Sequence, residues 1–257
     1  MRRNLKITLS YDGSGFHGWQ VQPGQPTIQG ALAEAILRLT HEQVLPQGSG
    51  RTDAGVHAVA QVASFETESQ VPTENFAKAL NGALPPAIRI LKVEEAPPEF
   101  HARHSAKAKS YEYRIYRGEV LSPFLYRYVH HYPYPLFEEA MAEAAQVVVG
   151  EHDFTSFAAV DPERTVRMSG GVGDETPNNV RTIFTSAFER RGEEFAYRVR
   201  GSGFLHRMVR NLVGTFLLVG KGTIAAKDVA TILAARNRTA AGATVPGCGL
   251  YLVSVEY

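Results

Sequence analysis

The sequence predicts an α+β protein of two domains, and three observations carry that prediction. Segments that alternate polar and apolar with period two are interspersed with segments of helical periodicity. In the first part of the chain they fall in the order β-α-β-β-α-β, the ferredoxin-like pattern, which closes near Ala96-Pro97-Pro98. A chain of 257 residues with 44% apolar composition is long enough for one large or two ordinary domains and apolar enough to bury a core.

Leu5 to Tyr11 alternates and is the first strand, broken by Asp12-Gly13-Ser14-Gly15. Thr27 is placed to cap a helix in which Ile28, Leu32, Ile36 and Leu37 share a face. A short strand is expected at Gln43 to Leu45 and a longer one at Gln61 to Glu66. Pro72-Thr73 opens a second helix with Phe76, Leu80 and Leu84 inward, and Pro85-Pro86 stops it. Ile88 to Val93 completes the first domain, assigned to residues 1–105.

The second domain, 106–257, begins with a long strand at Lys109 to Arg117, followed by a helix over Leu136 to Val149. Asp161 to Asn179, rich in Gly, Pro and acid, reads as an exposed loop. Val180 to Phe188 and Glu194 to Arg200 form a hairpin pair, then come helices at Phe204 to Leu218 and Lys227 to Ala235. Leu250 to Val255 is the closing strand.

Composition narrows the function classes. A single cysteine, Cys248, excludes an internal disulfide framework or a multi-Cys zinc site. No apolar run approaches the ~18 residues of a membrane span, and the N-terminus lacks a signal-peptide core, so a soluble, cytoplasmic protein is expected. Net charge is +1, but its distribution is uneven: Arg181 to Arg238 holds 11 basic and 4 acidic residues, a balance of +7, whereas Ile115 to Val180 holds 4 and 10, a balance of −6. Such a distribution is compatible with a basic face for a polyanion or with ordinary solvated charge.

Three segments stand out chemically. Gly48-Ser49-Gly50-Arg51-Thr52-Asp53-Ala54-Gly55-Val56-His57 surrounds an Arg and an Asp with glycines, without the Lys-Ser/Thr ending of a phosphate P-loop. It reads equally as a hairpin with Asp53 capping a turn and Arg51 as its ion-pair mate, or as a loop presenting a catalytic Asp53. Gly201-Ser202-Gly203 precedes a helix on which Arg207 and Arg210, three apart, share a face. From Phe100 to Arg114, bases and aromatics interleave, with Tyr111 and Tyr113 on the strand face opposite Glu112. Neither His101/His104 nor His130/His131 has the further ligands a metal site needs, and Cys248 reads as structural.

Together these segments resemble the bacterial tRNA pseudouridine synthase family. Tyr11-Asp12-Gly13 with Phe16-His17-Gly18-Trp19-Gln20 is similar to its opening motif, and Gly50 to Ala58 to its catalytic loop. Phe100 to Arg103 with Lys109 to Arg114, then Gly150 to Phe154, Phe204 to Asn211 and Gly249 to Leu252, follow in family order. His104 and Arg207 depart from the usual Phe and His, neither at the nucleophile position. The resemblance implies two ferredoxin-like, or RRM-like, subdomains with mixed, mainly antiparallel sheets flanking a central RNA-binding cleft. It implies Asp53 as nucleophile, Tyr111 packed on the target uracil, Arg51 holding the RNA or flipping the base, and Arg210 pairing with Asp53. It also implies a homodimer, no metal or cofactor, and uridines 38, 39 and 40 of the tRNA anticodon stem-loop as substrate.

The residue chemistry agrees. Isomerising uridine exchanges a C–N glycosidic bond for a C–C bond without net oxidation, so no redox cofactor is required, and a carboxylate can hold the detached fragment covalently. Flipping the base from a stem costs about a few kcal/mol, and stacking on an aromatic recovers roughly 1–3 kcal/mol. A mixed role, stacking and hydroxyl chemistry, is expected for Tyr111. Two other classes compete. A glycosidase-like hydrolase would need a second carboxylate as acid, with Asp153 the distant candidate, and a non-catalytic RNA-binding module would leave Asp53 without a task.

Overall fold

The computed structural model describes residues 2–160 and 178–257. The chain is α+β, its strands mostly antiparallel, and its two compact units do not follow one cut of the chain. The first contains 1–112, 122–129 and 246–257; the second contains 113–121 and 130–245. Most of the expected loop from Asp161 to Asn179 lies outside the described residues.

In the first unit the elements run β1 (Arg3–Tyr11), α1 (Ile28–Thr40), β2 (Gln47–Gly48), β3 (His57–Thr67), α2 (Thr73–Ala83), β4 (Ile88–Ala96), the start of β5 (Ala108–Tyr116) and β10 (Leu250–Glu256). The strands lie in the order β4-β1-β3-β10-β5, with β2 pairing β3. Alternation explains β1: Leu5, Ile7 and Leu9 are fully buried while Lys6 and Thr8 are not. The strand sits centrally, antiparallel to both β3 and β4. Thr27 caps α1 as expected, accepting from the Gly30 N–H. Ile28, Leu32 and Ile36 of α1 are fully buried. Leu37 is not part of that stripe: one residue beyond Ile36, it is rotated about 100° away and is exposed. In α2, Phe76 and Leu80 are fully buried, Phe76 lying 6.0 Å from the Phe65 ring.

Two strand boundaries here differ from the sequence pattern. The short second strand is at Gln47–Gly48, not Gln43 to Leu45, because Pro46 intervenes and has no N–H for a ladder. β3 starts at His57, four residues early, because His57 and Ala58 gain a parallel partner in Tyr251 and Leu252 of β10. The closing strand thereby lies in the first unit, next to the residues that follow Asp53.

The second unit takes the end of β5, then β6 (His130–His131), α3 (Glu138–Val147), β7 (Gly150–Asp153), β8 (Val180–Arg191), β9 (Glu194–Gly201), α4 (Met208–Gly220) and α5 (Asp228–Ala235). Its strand order is β5-β9-β8-β7, with β8–β9 and β7–β8 antiparallel. Phe188, Phe195, Tyr197 and Phe216 form its aromatic centre, Phe188 stacking on Phe195 at 4.5 Å. α4 is buried along most of its length, which is why its sequence is so apolar. It begins at Met208 rather than Phe204, because Arg207 has a left-handed backbone (φ 58°) that cannot continue a helix. Arg207 and Arg210 therefore do not share a helical face. Among the described residues, no helix is long and apolar enough to cross a membrane.

Because Phe76 is fully enclosed between α2 and the sheet, Phe76→Ala is expected to cost about 3–5 kcal/mol, read as a lowered urea midpoint with an unchanged slope.

Candidate active site

The glycine-rich loop between β2 and β3 is clamped from several sides. Ser49 is buried; its N–H donates to the Val62 carbonyl (2.7 Å) and its hydroxyl to Gln61 Oε1 (2.6 Å). The Gln61 amide nitrogen donates in turn to the Gly50 carbonyl at 2.9 Å. From β5, the Lys109 ammonium donates to the Ser49 carbonyl. One step further, Thr52 Oγ1 and the buried Tyr11 hydroxyl are 2.8 Å apart, and the Thr52 carbonyl accepts from the Trp19 N–H at 2.9 Å. Gly18 explains that last approach. Its φ is +85°, and a Cβ there would stand 2.4 Å from the Thr52 carbonyl oxygen, so only glycine fits.

Asp53 itself is half-buried, and its carbonyl accepts from the Val56 N–H (3.1 Å) in the turn that leads to β3. Arg51, two residues earlier, is exposed. Tyr111 is buried on β5, and a methyl built on Gly50 would stand 4.0 Å from its hydroxyl oxygen. Burial first, then the neighbouring Tyr11 and Asp53, push the Tyr111 phenol far above its ordinary range. The Asp53 carboxylate and the Tyr111 hydroxyl thus feel one another electrostatically, and the phenol stays protonated at neutral pH. Burial likewise pushes Tyr11 up to about 12, against the opposing hydrogen bonds of Thr52 and Gln61.

Asp53, Arg51 and Tyr111 all belong to the first unit. Arg210, on α4 of the second unit, donates through Nε to the Val245 carbonyl at 2.7 Å. Gly18 and Trp19 of the opening motif, and Gln61 at the head of the expected strand, hold the loop, a task the sequence did not assign to them. The signal for Gln61 was available: it is a polar residue at an inward position of an alternating strand, and such a group demands hydrogen-bond partners.

His57, the histidine nearest to Asp53 in sequence, is buried and committed elsewhere. Its Nδ1 accepts from the Gly13 N–H (3.2 Å), and its Nε2 lies 3.0 Å from the Arg127 carbonyl. The same Nδ1 lies 3.3 Å from Asp12 Oδ1, a pair that is ionic when the ring is protonated. Asp12 also accepts from the Ser14 N–H and the Tyr128 hydroxyl, each at 2.9 Å. Tyr251 stacks on the His57 ring at 4.7 Å and donates to the Tyr128 carbonyl.

With this geometry in view, the comparisons with known proteins become specific. The tRNA pseudouridine synthase family model matches residues 7–105 and 144–257, and the chain belongs to that family. Among its relatives, the tRNA pseudouridine synthase A of Solibacter usitatus is 52% identical over 99% of this chain and 100% of its own length. Those of Caldicellulosiruptor bescii and Anoxybacillus flavithermus are 42% and 43% identical, over 99% of this chain and 100% and 99% of theirs. A chain of a solved Cbf5-Nop10-Gar1 complex aligns with a TM-score of 0.36 at 12% identity, covering 96% of this chain and 57% of that one.

Asp12 yields a pH test. Burial alone would raise its carboxyl, but the hydrogen bonds from Ser14 and Tyr128 outweigh it and hold it below the ordinary value. A depressed folded-state pKa contributes stability that is present above the unfolded value, near 3.8, and is lost as pH falls through the folded one. Asp12→Asn is therefore expected to lower the urea midpoint at pH 7 and to shrink its gap from wild type as pH drops below about 4. A gap constant down to pH 2 would remove the assignment.

Proposed function

We infer that this protein isomerises uridine to pseudouridine in tRNA, with Asp53 as nucleophile and uridines 38, 39 and 40 of the anticodon stem-loop as targets. The family membership supports the activity. The observation that carries the site is the clamped loop, in which Asp53 is electrostatically coupled to the buried Tyr111 hydroxyl. A nucleophile gains from being held before the substrate arrives, because less freedom is then lost on reaching the transition state.

The reaction breaks the C1′–N1 bond, turns the detached uracil and joins C1′ to C5. The C5 proton is lost and N1 gains one, so atoms and electrons balance within the substrate. Asp53 supplies the carboxylate that traps the separated fragment. Tyr111 supplies a ring for the uracil and a hydroxyl that remains protonated, which suits it to donate a hydrogen bond rather than to act as a phenolate base. Arg51, exposed at the head of the loop, and Arg210 bind the RNA in this reading. Homodimer formation and a cytoplasmic location belong to the same reading.

The hydrolase alternative loses its candidate acid. Asp153 accepts from the Thr155 N–H (2.9 Å) and hydroxyl (2.6 Å) and pairs with Arg236 at 3.1 Å. Burial would raise its carboxyl, but these partners hold it down, and a general acid needs the reverse.

Asp53→Asn is nearly isosteric and a poor nucleophile. The variant is expected to melt like wild type and to bind tRNA with similar affinity while losing at least a thousandfold in single-turnover rate, on the order of a covalent-catalysis contribution. Pseudouridine mapping by reverse-transcription stops after carbodiimide treatment checks it. A rate within tenfold of wild type would end the nucleophile assignment, and release of free uracil by wild type would favour the hydrolase.

A further inference from the structure

β1 departs from its own pattern at its last residue. Its alternating buried positions are Leu5, Ile7, Leu9 and Tyr11, three aliphatic side chains and then a phenol that is only 4% exposed. A hydroxyl in that row carries a desolvation cost that a phenyl ring would not, so it is expected to have a task. We propose that Tyr11 is a positioning residue of the reaction: its hydroxyl holds Thr52, and through Thr52 it fixes where the Asp53 carboxylate stands. This role rests on the reading of Asp53 as the nucleophile and adds to it the residue that aims it.

Three observations carry the inference. The polar neighbours of the Tyr11 hydroxyl all serve the glycine-rich loop. Its oxygen lies 2.8 Å from Thr52 Oγ1 and 3.5 Å from the Gln61 amide nitrogen, which itself donates to the Gly50 carbonyl. Next, Thr52 is the residue directly before Asp53, whereas the anchors from β3 and β5 grip Ser49 and Gly50 further back in the chain. Thr52 is held at two points, its hydroxyl by Tyr11 and its carbonyl by the Trp19 N–H at 2.9 Å. That carbonyl belongs to the peptide that joins Thr52 to Asp53, so the nucleophile's own backbone is restrained. Finally, the support is rigid. Tyr11 sits on the central strand, opposite Ala58 of β3 and Ile88 of β4, and its ring lies 6.4 Å from that of the buried Trp19. The bond to Thr52 therefore ties the loop to the sheet and not to another loop.

Burial decides which kind of role this is. Thr52 is 7% exposed, and neither it nor Tyr11 is placed to touch a substrate. The hydroxyl acts by aiming the carboxylate, and a misplacement of about 1 Å at a reacting group can cost on the order of 10²-fold in rate. Burial also pushes Tyr11 up to about 12, so it remains a hydroxyl at neutral pH and the bond persists.

The test uses the full chain and unmodified tRNA, with single-turnover rate, tRNA affinity and melting temperature measured for each variant. Tyr11→Phe keeps the ring and removes only the bond. It is expected to melt within about 2 °C of wild type and to bind tRNA within about twofold, while the rate falls about 10–100-fold. Thr52→Val should lose a similar factor, and the double variant should be no slower than the slower single by more than about twofold, because both substitutions break one bond. Thr52→Ser, which keeps the hydroxyl, should retain most of the rate. A bond that only supports the fold gives the reverse split: a lowered melting temperature in Tyr11→Phe with the rate per folded molecule unchanged, and that result would overturn the inference. So would losses that multiply in the double variant, since the two hydroxyls would then have separate tasks. If Tyr11→Phe does not fold, Thr52→Val decides alone, a rate within about twofold of wild type counting against the role. Wild type that forms no pseudouridine refutes the proposed activity and this role with it, whereas an active wild type beside a full-rate Tyr11→Phe removes only the role of Tyr11.

Discussion

The hydrogen bond from the Gln61 side chain to the Gly50 carbonyl, 2.9 Å long, joins the loop that carries Asp53 to the buried interior of β3. Ser49 and Lys109 complete the arrangement by fixing the preceding peptide. A glycine-rich segment is the most costly kind of backbone to order, at roughly 1–2 kcal/mol per residue. Here buried polar side chains offset that cost, and they do so because β3 offers an inward-pointing Gln where an apolar strand would have another Val. Tyr11, Trp19 and Gly18 extend the same logic from β1 and the loop after it. The position of Asp53 is thus a property of the first unit's core and not of the loop itself.

The electrostatics are more local than the sequence distribution suggests. Part of the basic excess in the second unit faces acid from outside the segment, Arg190 pairing with Glu138 and Arg236 with Asp153, while Arg191 and Arg198 share Glu189, which the +7 balance already counts. Two of those acids, Glu138 and Asp153, come from the acidic stretch that precedes the basic one. Opposite blocks along the chain become pairs in the fold, so a +7 count is not a +7 face. Exposed pairs of this kind contribute little to stability, but they do lower the charge available to a polyanion.

His57 illustrates how a residue that invites a catalytic reading can be structural. In sequence it is a histidine four residues from the proposed nucleophile, a natural candidate for a proton carrier. In the fold both ring nitrogens are hydrogen bonded, one to Gly13 and one to Arg127, and Tyr251 covers its face. It ties together the loop after β1, the start of β3 and the strap around Arg127.

What the sequence determined by itself is what depends on short-range pattern. Alternation located β1, β4, β5 and the β8–β9 hairpin; Thr27 marked the start of α1; and the glycines around Arg51 and Asp53 marked the candidate site. The motif order also carried the family, because its segments are contiguous runs that survive as text. What only the tertiary structure decided involves partners far apart in the chain. β3 begins at His57 because β10 lies beside it, and α4 begins late because Arg207 adopts a left-handed backbone that no local propensity favours. The closing strand joins the first unit, so Cys248 and Tyr251 reach the strap of residues 122–129 across nearly half the chain. Such contacts form because they bury apolar surface and satisfy carbonyls that neither segment can satisfy alone, and a one-dimensional pattern holds no record of which segments will meet.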